Sequence, residues 1–190
     1  LYTALPTLTR ELGATATQGL WIINAYPLVM AGLLLGTGTL GDRIGHRRMF
    51  LIGLVLFGVA SIVAAYSPTA EILIGARAFL AVGAAAMMPA TLALIRVTFE
   101  DDRERNIAIA IWGSLSVVGA ALGPIIGGFL LGHFWWGSVF VVTAAVAAIS
   151  LVAIVLVVPS TKAEEHVGLD PLGTVLSAIG VGGLVFGIIE

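Results

Sequence analysis

The sequence contains no cysteine and very little charge. Of its 190 residues, 59% are hydrophobic and only 11% are charged, and the mean hydropathy is +1.08. The lack of cysteine excludes disulfides and thiolate metal sites. So few charges cannot cover the surface of a water-soluble domain, and the composition therefore predicts a protein embedded in a lipid bilayer. The net charge of −2 indicates no nucleic-acid partner, because the charged residues are confined to short segments.

Catalytic groups are missing as well. The three histidines stand apart at positions 46, 133 and 166, and no carboxylate pair or base-activated nucleophile lies within an apolar run. We therefore expect no enzyme, no metal site and no cofactor. Residues 36–41, GTGTLG, match the spacing of a dinucleotide-binding loop, but a charged segment follows them where that loop needs the start of a helix. This context excludes a dinucleotide site.

Long apolar runs are what the sequence does contain. A bilayer crossing needs roughly 20 such residues. Residues 12–41, 49–70, 72–95 and 171–189 each provide one crossing, and residues 106–161 provide two that are separated by GHFWWGS at 132–138. Residues 1–9 are interpreted as the end of an incomplete helix. Because the runs are continuous and not alternating, they predict helices and exclude a barrel.

Basic residues give the orientation of these spans. Arg10 and Arg77 lie elsewhere, but the remaining basic residues all fall in every second loop, namely Arg43, Arg47, Arg48, Arg96, Arg103, Arg105 and Lys162. Loops rich in Lys and Arg stay on the cytoplasmic side. The sequence therefore predicts a multi-pass protein of the inner (plasma) membrane.

The segment GTLGDRIGHRRMFL, residues 38–51, joins the first two complete spans and is called the hinge segment below. Its motif positions are Gly38, Asp42, Arg43, Gly45, Arg47 and Arg48. A tight cytoplasmic loop could collect arginine through the orientation bias alone, but this explains neither the acid at the end of the span nor the turn-permitting glycine. The spacing G-x-L-x-D-R-x-G-x-[RK]-[RK] resembles the loop after helix 2 of major facilitator transporters. That resemblance implies that the segment gates the cytoplasmic side by clamping helix ends of the opposite half.

The fifth span carries a glycine stripe with a proline, at Gly119, Gly123, Pro124, Gly127 and Gly128. Glycines four residues apart lie on one helix face, where a second helix can approach the backbone closely. The proline bends the helix. Generic packing is one interpretation. The full pattern G-x-x-x-G-P-x-x-G-G resembles the signature that distinguishes proton-driven exporters from importers in the same superfamily.

Arg77 is a strong charge inside an apolar span. A charge at the bilayer centre costs at least ~2.5 kcal/mol on insertion scales, so such residues are functional candidates. Snorkelling to the outer headgroups is the alternative. The sequence IGARAFLAVGAA at 74–85 resembles the fourth-helix motif whose arginine couples transport to protons, although Leu80 and Ala81 depart from the usual pattern.

Together with LWIINAYPLVMAG at 20–32 and TFEDDRERNIAIAIWG at 98–113, these motifs resemble the 14-helix drug/proton antiporters, in particular bacterial methyl viologen and quaternary ammonium exporters. The resemblance implies an all-α membrane protein, the N-terminal half of a major facilitator fold. Residues 1–158 would form a six-helix bundle with an incomplete first helix, 159–170 a cytoplasmic linker, and 171–190 the start of an extra central helix.

The implied activity is proton-coupled export of lipophilic or quaternary ammonium cations by alternating access, with protons, the cation and the bilayer as partners. Asn24, Tyr26 and Trp112 are candidates for the cavity wall, although packing explains each of them equally well. Relatives carry the coupling acid in helix 1, upstream of these residues. An importer of another small solute and a non-transporting scaffold or sensor remain as alternatives, and the oligomeric state stays open.

Overall fold

The computed structural model describes residues 4–157 and Gly180. Within these residues it contains six helices and no strand, with α1 at Leu5–Glu11, α2 at Ala16–Ile44, α3 at His46–Ala65, α4 at Ala70–Thr98, α5 at Asp102–His133 and α6 at Ser138–Val157. The five helices α2 to α6 are long and apolar enough to cross a membrane. The predicted linker at 159–170 and, apart from Gly180, the predicted span at 171–189 lie outside the described residues.

Local signals in the sequence fix the start of α2. Gly13, with a φ of 59°, turns the chain after α1, and Thr15 begins a capping box with Gln18. The Thr15 amide donates to Gln18 Oε1 at 2.8 Å, and the Gln18 amide donates to Thr15 Oγ1 at 3.2 Å. Gln18 Nε2 also donates to Glu71 Oε1 in the first turn of α4. The parallel helices α2 and α4 are thus joined at their first turns.

The centre of the bundle is α4, which packs between α2 and α3, while α6 covers the other side of α3. Alanine dominates the buried face of α4, which includes Ala76, Ala81, Ala85 and Ala90. Such small side chains allow helices to pack with their backbones close together. The larger core residue Leu73 is fully buried at the outer end of this face.

The break at 132–138 is confirmed, since α5 ends at His133 and α6 begins at Ser138. Its two tryptophans differ in burial. Trp135 is 48% exposed, whereas Trp136 is only 8% exposed and meets the ring of Phe140 edge-on, with 6.4 Å between the ring centroids. Trp136 therefore belongs to the packed core, and the headgroup depth that the sequence predicts for both rings stays a prediction.

Two predictions about loops are wrong in their boundaries. The hinge segment is mostly helical, because α2 continues through Gly38, Asp42 and Arg43 to Ile44. Arg96 likewise lies in the last turn of α4, and Arg103 and Arg105 lie in the first turns of α5. The physical reason is that a helix can extend beyond the hydrocarbon region, where charged side chains are solvated and its end is capped.

Candidate functional site

A single residue, Gly45, joins α2 to α3. Its φ of 92° and ψ of 132° are strained for any L-residue with a side chain. The Gly45 amide donates to the Gly41 carbonyl at 3.0 Å, and its own carbonyl accepts from the Met49 amide at 3.0 Å. Gly45 therefore ends one helix and begins the next, as the sequence predicted for a sharp turn.

Two charged side chains of the hinge segment, those of Asp42 and Arg47, have partners within the described helices. Asp42 Oδ1 lies 3.6 Å from His46 Nε2, across the turn. Arg47 Nη2 donates to the Val155 carbonyl at 3.2 Å, near the carboxyl end of α6. In a helix this carbonyl would accept from the amide of residue 159, but Pro159 has no N–H, so a donor from another helix is favoured. The hinge segment and the end of α6 therefore lie at the same end of the bundle.

The remaining arginines of the motif have different surroundings. Arg48 is exposed. The Nε of Arg43 is buried and has no hydrogen-bond partner among the residues that the structure describes. The motif thus divides into one arginine bonded to a helix end, one exposed arginine and one with a shielded nitrogen.

A groove of about 240 Å³ separates the hinge segment from the end of α4. It combines one acid, one histidine and one arginine with apolar walls, and its lining residues are Gly38, Asp42, His46, Pro89, Leu92, Ala93 and Arg96. A Cβ on Gly38 would lie 3.8 Å from the Cβ of Pro89, an ordinary contact distance. The structure therefore brings the basic end of α4 beside the hinge segment.

Arg77 turns toward α2 and does not extend along its own helix to the outer surface. Its Nε donates to the Ile22 carbonyl at 3.0 Å, and its Nη2 donates to the Ile23 carbonyl at 3.4 Å. The guanidinium carbon lies 4.9 Å from the centre of the Tyr26 ring, within the range of a cation–π interaction. These contacts place the charge between two helices that are long and apolar enough to cross a membrane.

Only one of the three predicted cavity residues shares this site. Tyr26 lies against Arg77, whereas Asn24 is half-buried and its side chain makes no hydrogen bond within residues 4–157. Trp112 lies on α5, and in the described part of the chain no hydrogen bond or ring contact joins it to Arg77. The cavity roles of Asn24 and Trp112 stay predictions.

The glycine stripe of α5 faces open space. A Cβ built on Gly119, Gly123 or Gly128 would meet nothing within 4 Å among the described residues. Indeed α5 has no buried residue, and Ile125 on the same helix is 67% exposed. The stripe is therefore available to a helix outside the described residues, and its role stays a prediction.

Sequence reasoning missed three residues of this region. Pro27 and Pro89 lie inside α2 and α4, and the Thr37 hydroxyl lies 2.7 Å from the Ala85 carbonyl of α4. A proline inside a helix leaves the carbonyl four residues earlier without its helical hydrogen bond, and this can be predicted from the sequence. Which side chain donates to that carbonyl depends on which helices pack together, and the residues around the proline do not predict this.

Comparisons with known proteins agree with this geometry. The family profile described as Major Facilitator Superfamily matches residues 1–189. Methyl viologen resistance protein SmvA of Salmonella typhimurium is 51% identical over 149 residues, which are 78% of this chain and 30% of that protein. Multidrug efflux pump LfrA of Mycolicibacterium smegmatis is 48% identical over 174 residues, 92% of this chain and 34% of that protein. The chain thus spans about a third of the length of these relatives.

A solved structure resembles the fold. The crystal structure of peptide transporter POT in complex with alafosfalin superposes with a TM-score of 0.75 at 20% sequence identity. The superposition covers 99% of this chain and 42% of that one. It confirms the predicted all-α fold, with a share consistent with the N-terminal half.

Proposed function

Because the chain belongs to the Major Facilitator Superfamily, we propose that the full transporter is a proton-coupled exporter of lipophilic or quaternary ammonium cations that works by alternating access. The named relatives SmvA and LfrA, a methyl viologen resistance protein and a multidrug efflux pump, support this proposal. The observation that carries it is the position of Arg77, a cation held between two membrane-spanning helices by backbone carbonyls of α2.

The setting of this site is a multi-pass protein of the cell membrane. Its family and its relatives are those of transporters and not of enzymes, in agreement with the lack of catalytic groups in the sequence. The resemblance to methyl viologen exporters is likewise confirmed. The coupling ion, the class of cation and the roles of individual residues belong to the proposal.

In the proposed cycle, a carboxylate of the cavity binds either a proton or the exported cation. The cation must shed water to enter, so an apolar or aromatic wall with a carboxylate in reach suits it. Within residues 4–157, no carboxylate lies deep inside a span, and Glu71 at the start of α4 is bonded to Gln18. We therefore place the coupling carboxylate in a part of the transporter outside these residues, with Arg77 beside it.

Arg77 would tune this carboxylate. A nearby positive charge stabilises the ionised form and lowers the carboxyl pKa, which favours release of the proton. Arg77 is suited to this task because its charge persists at any physiological pH. The hinge segment would then open and shut the cytoplasmic side, and the glycine stripe of α5 would pack against the rest of the transporter.

Efflux measurements test the proposal. Cells that express the full transporter should extrude ethidium only when a proton gradient is present, and Arg77→Ala should abolish this proton-driven efflux at equal membrane abundance. A matched control is Arg10→Ala, which deletes an exposed arginine in the last turn of α1, outside the motifs. Undiminished proton-dependent efflux in Arg77→Ala would overturn the coupling role. A lack of cation accumulation in proteoliposomes under an imposed pH gradient would overturn the exporter itself.

A further inference from the structure

Two prolines at membrane depth each leave one backbone carbonyl without its helical partner. Proline has no N–H, so Pro27 cannot bond to the Ile23 carbonyl and Pro89 cannot bond to the Ala85 carbonyl. Within a bilayer there is no water to replace these bonds, and an unsatisfied carbonyl costs several kcal/mol. Both carbonyls therefore require a donor from a neighbouring side chain.

The structure supplies each donor from the opposite helix. Arg77 of α4 donates to the Ile23 carbonyl of α2 at 3.4 Å, and Thr37 of α2 lies 2.7 Å from the Ala85 carbonyl of α4. The Thr37 hydroxyl also lies 3.1 Å from the Leu33 and Leu34 carbonyls of its own helix. A hydroxyl carries one hydrogen, and its shortest contact is the one to α4. Each helix thus caps the proline break of the other.

The two caps differ in charge and in position. The outer cap contains a guanidinium that also holds the Ile22 carbonyl at 3.0 Å. The inner cap contains a neutral hydroxyl and adjoins the hinge segment, since Gly38 follows Thr37 and faces Pro89. The carbonyl freed by Pro27 is therefore bonded by a charged side chain, and the carbonyl freed by Pro89 by an uncharged one.

We propose that Pro27 is a positioning residue for Arg77. Because Pro27 has no N–H, the Ile23 carbonyl is free to accept from Arg77. The guanidinium is then held on α2 by bonds to two successive carbonyls. Lysine, a point charge on a flexible stem, does not match this planar fork. The link to transport rests on the exporter proposed above. In that exporter, the two carbonyls of α2 and the coupling carboxylate compete for the guanidinium of Arg77.

The link between the two residues is tested by thermal unfolding of the purified full-length protein in detergent. Arg77→Ala should lower Tm because two carbonyls lose a donor. Adding Pro27→Ala should restore part of the loss, since the backbone N–H that this substitution introduces can bond to the Ile23 carbonyl. In the protein that keeps Arg77, Pro27→Ala should raise Tm less than it does in Arg77→Ala, because Arg77 already donates to the Ile23 carbonyl. Equal changes in Tm in the two backgrounds would overturn the proposal.

The consequence for transport is tested by the pH dependence of ethidium efflux. With Pro27→Ala, Arg77 loses one of its bonds to α2 and is more available to the carboxylate, whose pKa falls. Protonation then requires more acid, so half-maximal efflux should move to lower pH. Pro89→Ala changes the uncharged cap in the same way and should leave the pH of half-maximal efflux unchanged. An equal shift with Pro89→Ala would show that Pro27 acts only through helix bending and would overturn the positioning role.

The two measurements fail separately. If the full-length protein exports no cation, the exporter proposal fails, while the Tm comparison still decides whether Pro27 and Arg77 act together. If export is proton-dependent but the Tm changes of Pro27→Ala and Arg77→Ala are additive, the transport function stands and the positioning role is wrong.

Discussion

Gly53 of α3 and Gly83 of α4 lie against each other so closely that neither position has room for a side chain. A Cβ on Gly53 would come within 2.8 Å of the Gly83 carbonyl oxygen, and a Cβ on Gly83 would come equally close to the Gly53 carbonyl oxygen. Gly83 also faces the Phe57 amide nitrogen, which would lie 2.8 Å from its Cβ. The helices therefore meet backbone to backbone at this crossing.

Alanine at this crossing should destabilise the bundle. Because the opposing atoms belong to backbone and cannot rotate away, Gly83→Ala should force α3 and α4 apart, at a cost of ~1–3 kcal/mol typical of overpacking. A reduced Tm of the purified full-length protein is the expected result. Gly75→Ala is the matched control on the same helix, because a Cβ there meets nothing within 4 Å. Equal Tm values for the two variants would contradict the close crossing.

The turn at Gly45 gives a second prediction. An alanine with a φ near the observed 92° is strained, and left-handed conformations cost a residue with a Cβ roughly 1–2 kcal/mol. Gly45→Ala should therefore lower Tm. Gly38→Ala provides the comparison within the same motif, since its Cβ would make an ordinary contact at 3.8 Å in a helical position. If Gly38→Ala proved the more damaging to Tm, the assignment of the strained turn to Gly45 would be wrong.

Arg47 should stabilise the carboxyl end of α6. It bonds to the Val155 carbonyl, to which Pro159 can donate no helical N–H, and a cation near the carboxyl end of a helix contributes ~0.3–1 kcal/mol. In Arg47→Ala, amide hydrogen exchange should accelerate in the last turns of α6 while the exchange of α4 stays unchanged. Arg48→Ala, which removes an exposed neighbour, should leave α6 as it was. Identical exchange in the two variants would rule out the cap.

The glycine stripe of α5 predicts an effect on transport in the full-length protein. Leucine at Gly123 would block a helix that approaches the stripe, so Gly123→Leu should abolish ethidium efflux. Gly132→Leu is the control, because nine residues of helix place it on the side opposite Gly123, and both positions are open within the described residues. Efflux equal to that of the parent in Gly123→Leu, at equal abundance, would show that nothing packs closely there.

Much of the fold follows from the sequence because membrane spans are a local property. The apolar runs predicted the five long helices, and the Gly- and Trp-containing break predicted the end of α5. The boundaries shifted where polar residues continue a helix past the hydrocarbon region, as at Asp42 and Arg96. Hydropathy marks the edge of the lipid and not the end of the hydrogen-bonded backbone.

Pairwise contacts could not be predicted in the same way. Gly53 and Gly83 are two among 24 glycines, and their contact exists only once α3 lies against α4. Arg77 was identified as functional because a charge in lipid is costly, but its partners are backbone carbonyls, which every residue carries. The sequence identified the residue, and helix pairing selected the acceptors.

Joining α2 to α3 through one residue limits how this end of the bundle can move. A long loop would let the two helices tilt independently, whereas the bonds from Gly45 to Gly41 and from Met49 to Gly45 leave almost no slack. A displacement of Asp42 must therefore move α3 as well. Through the bond from Arg47 to the Val155 carbonyl, it also moves the end of α6. Any movement at this end of the bundle should therefore displace α2, α3 and the end of α6 together.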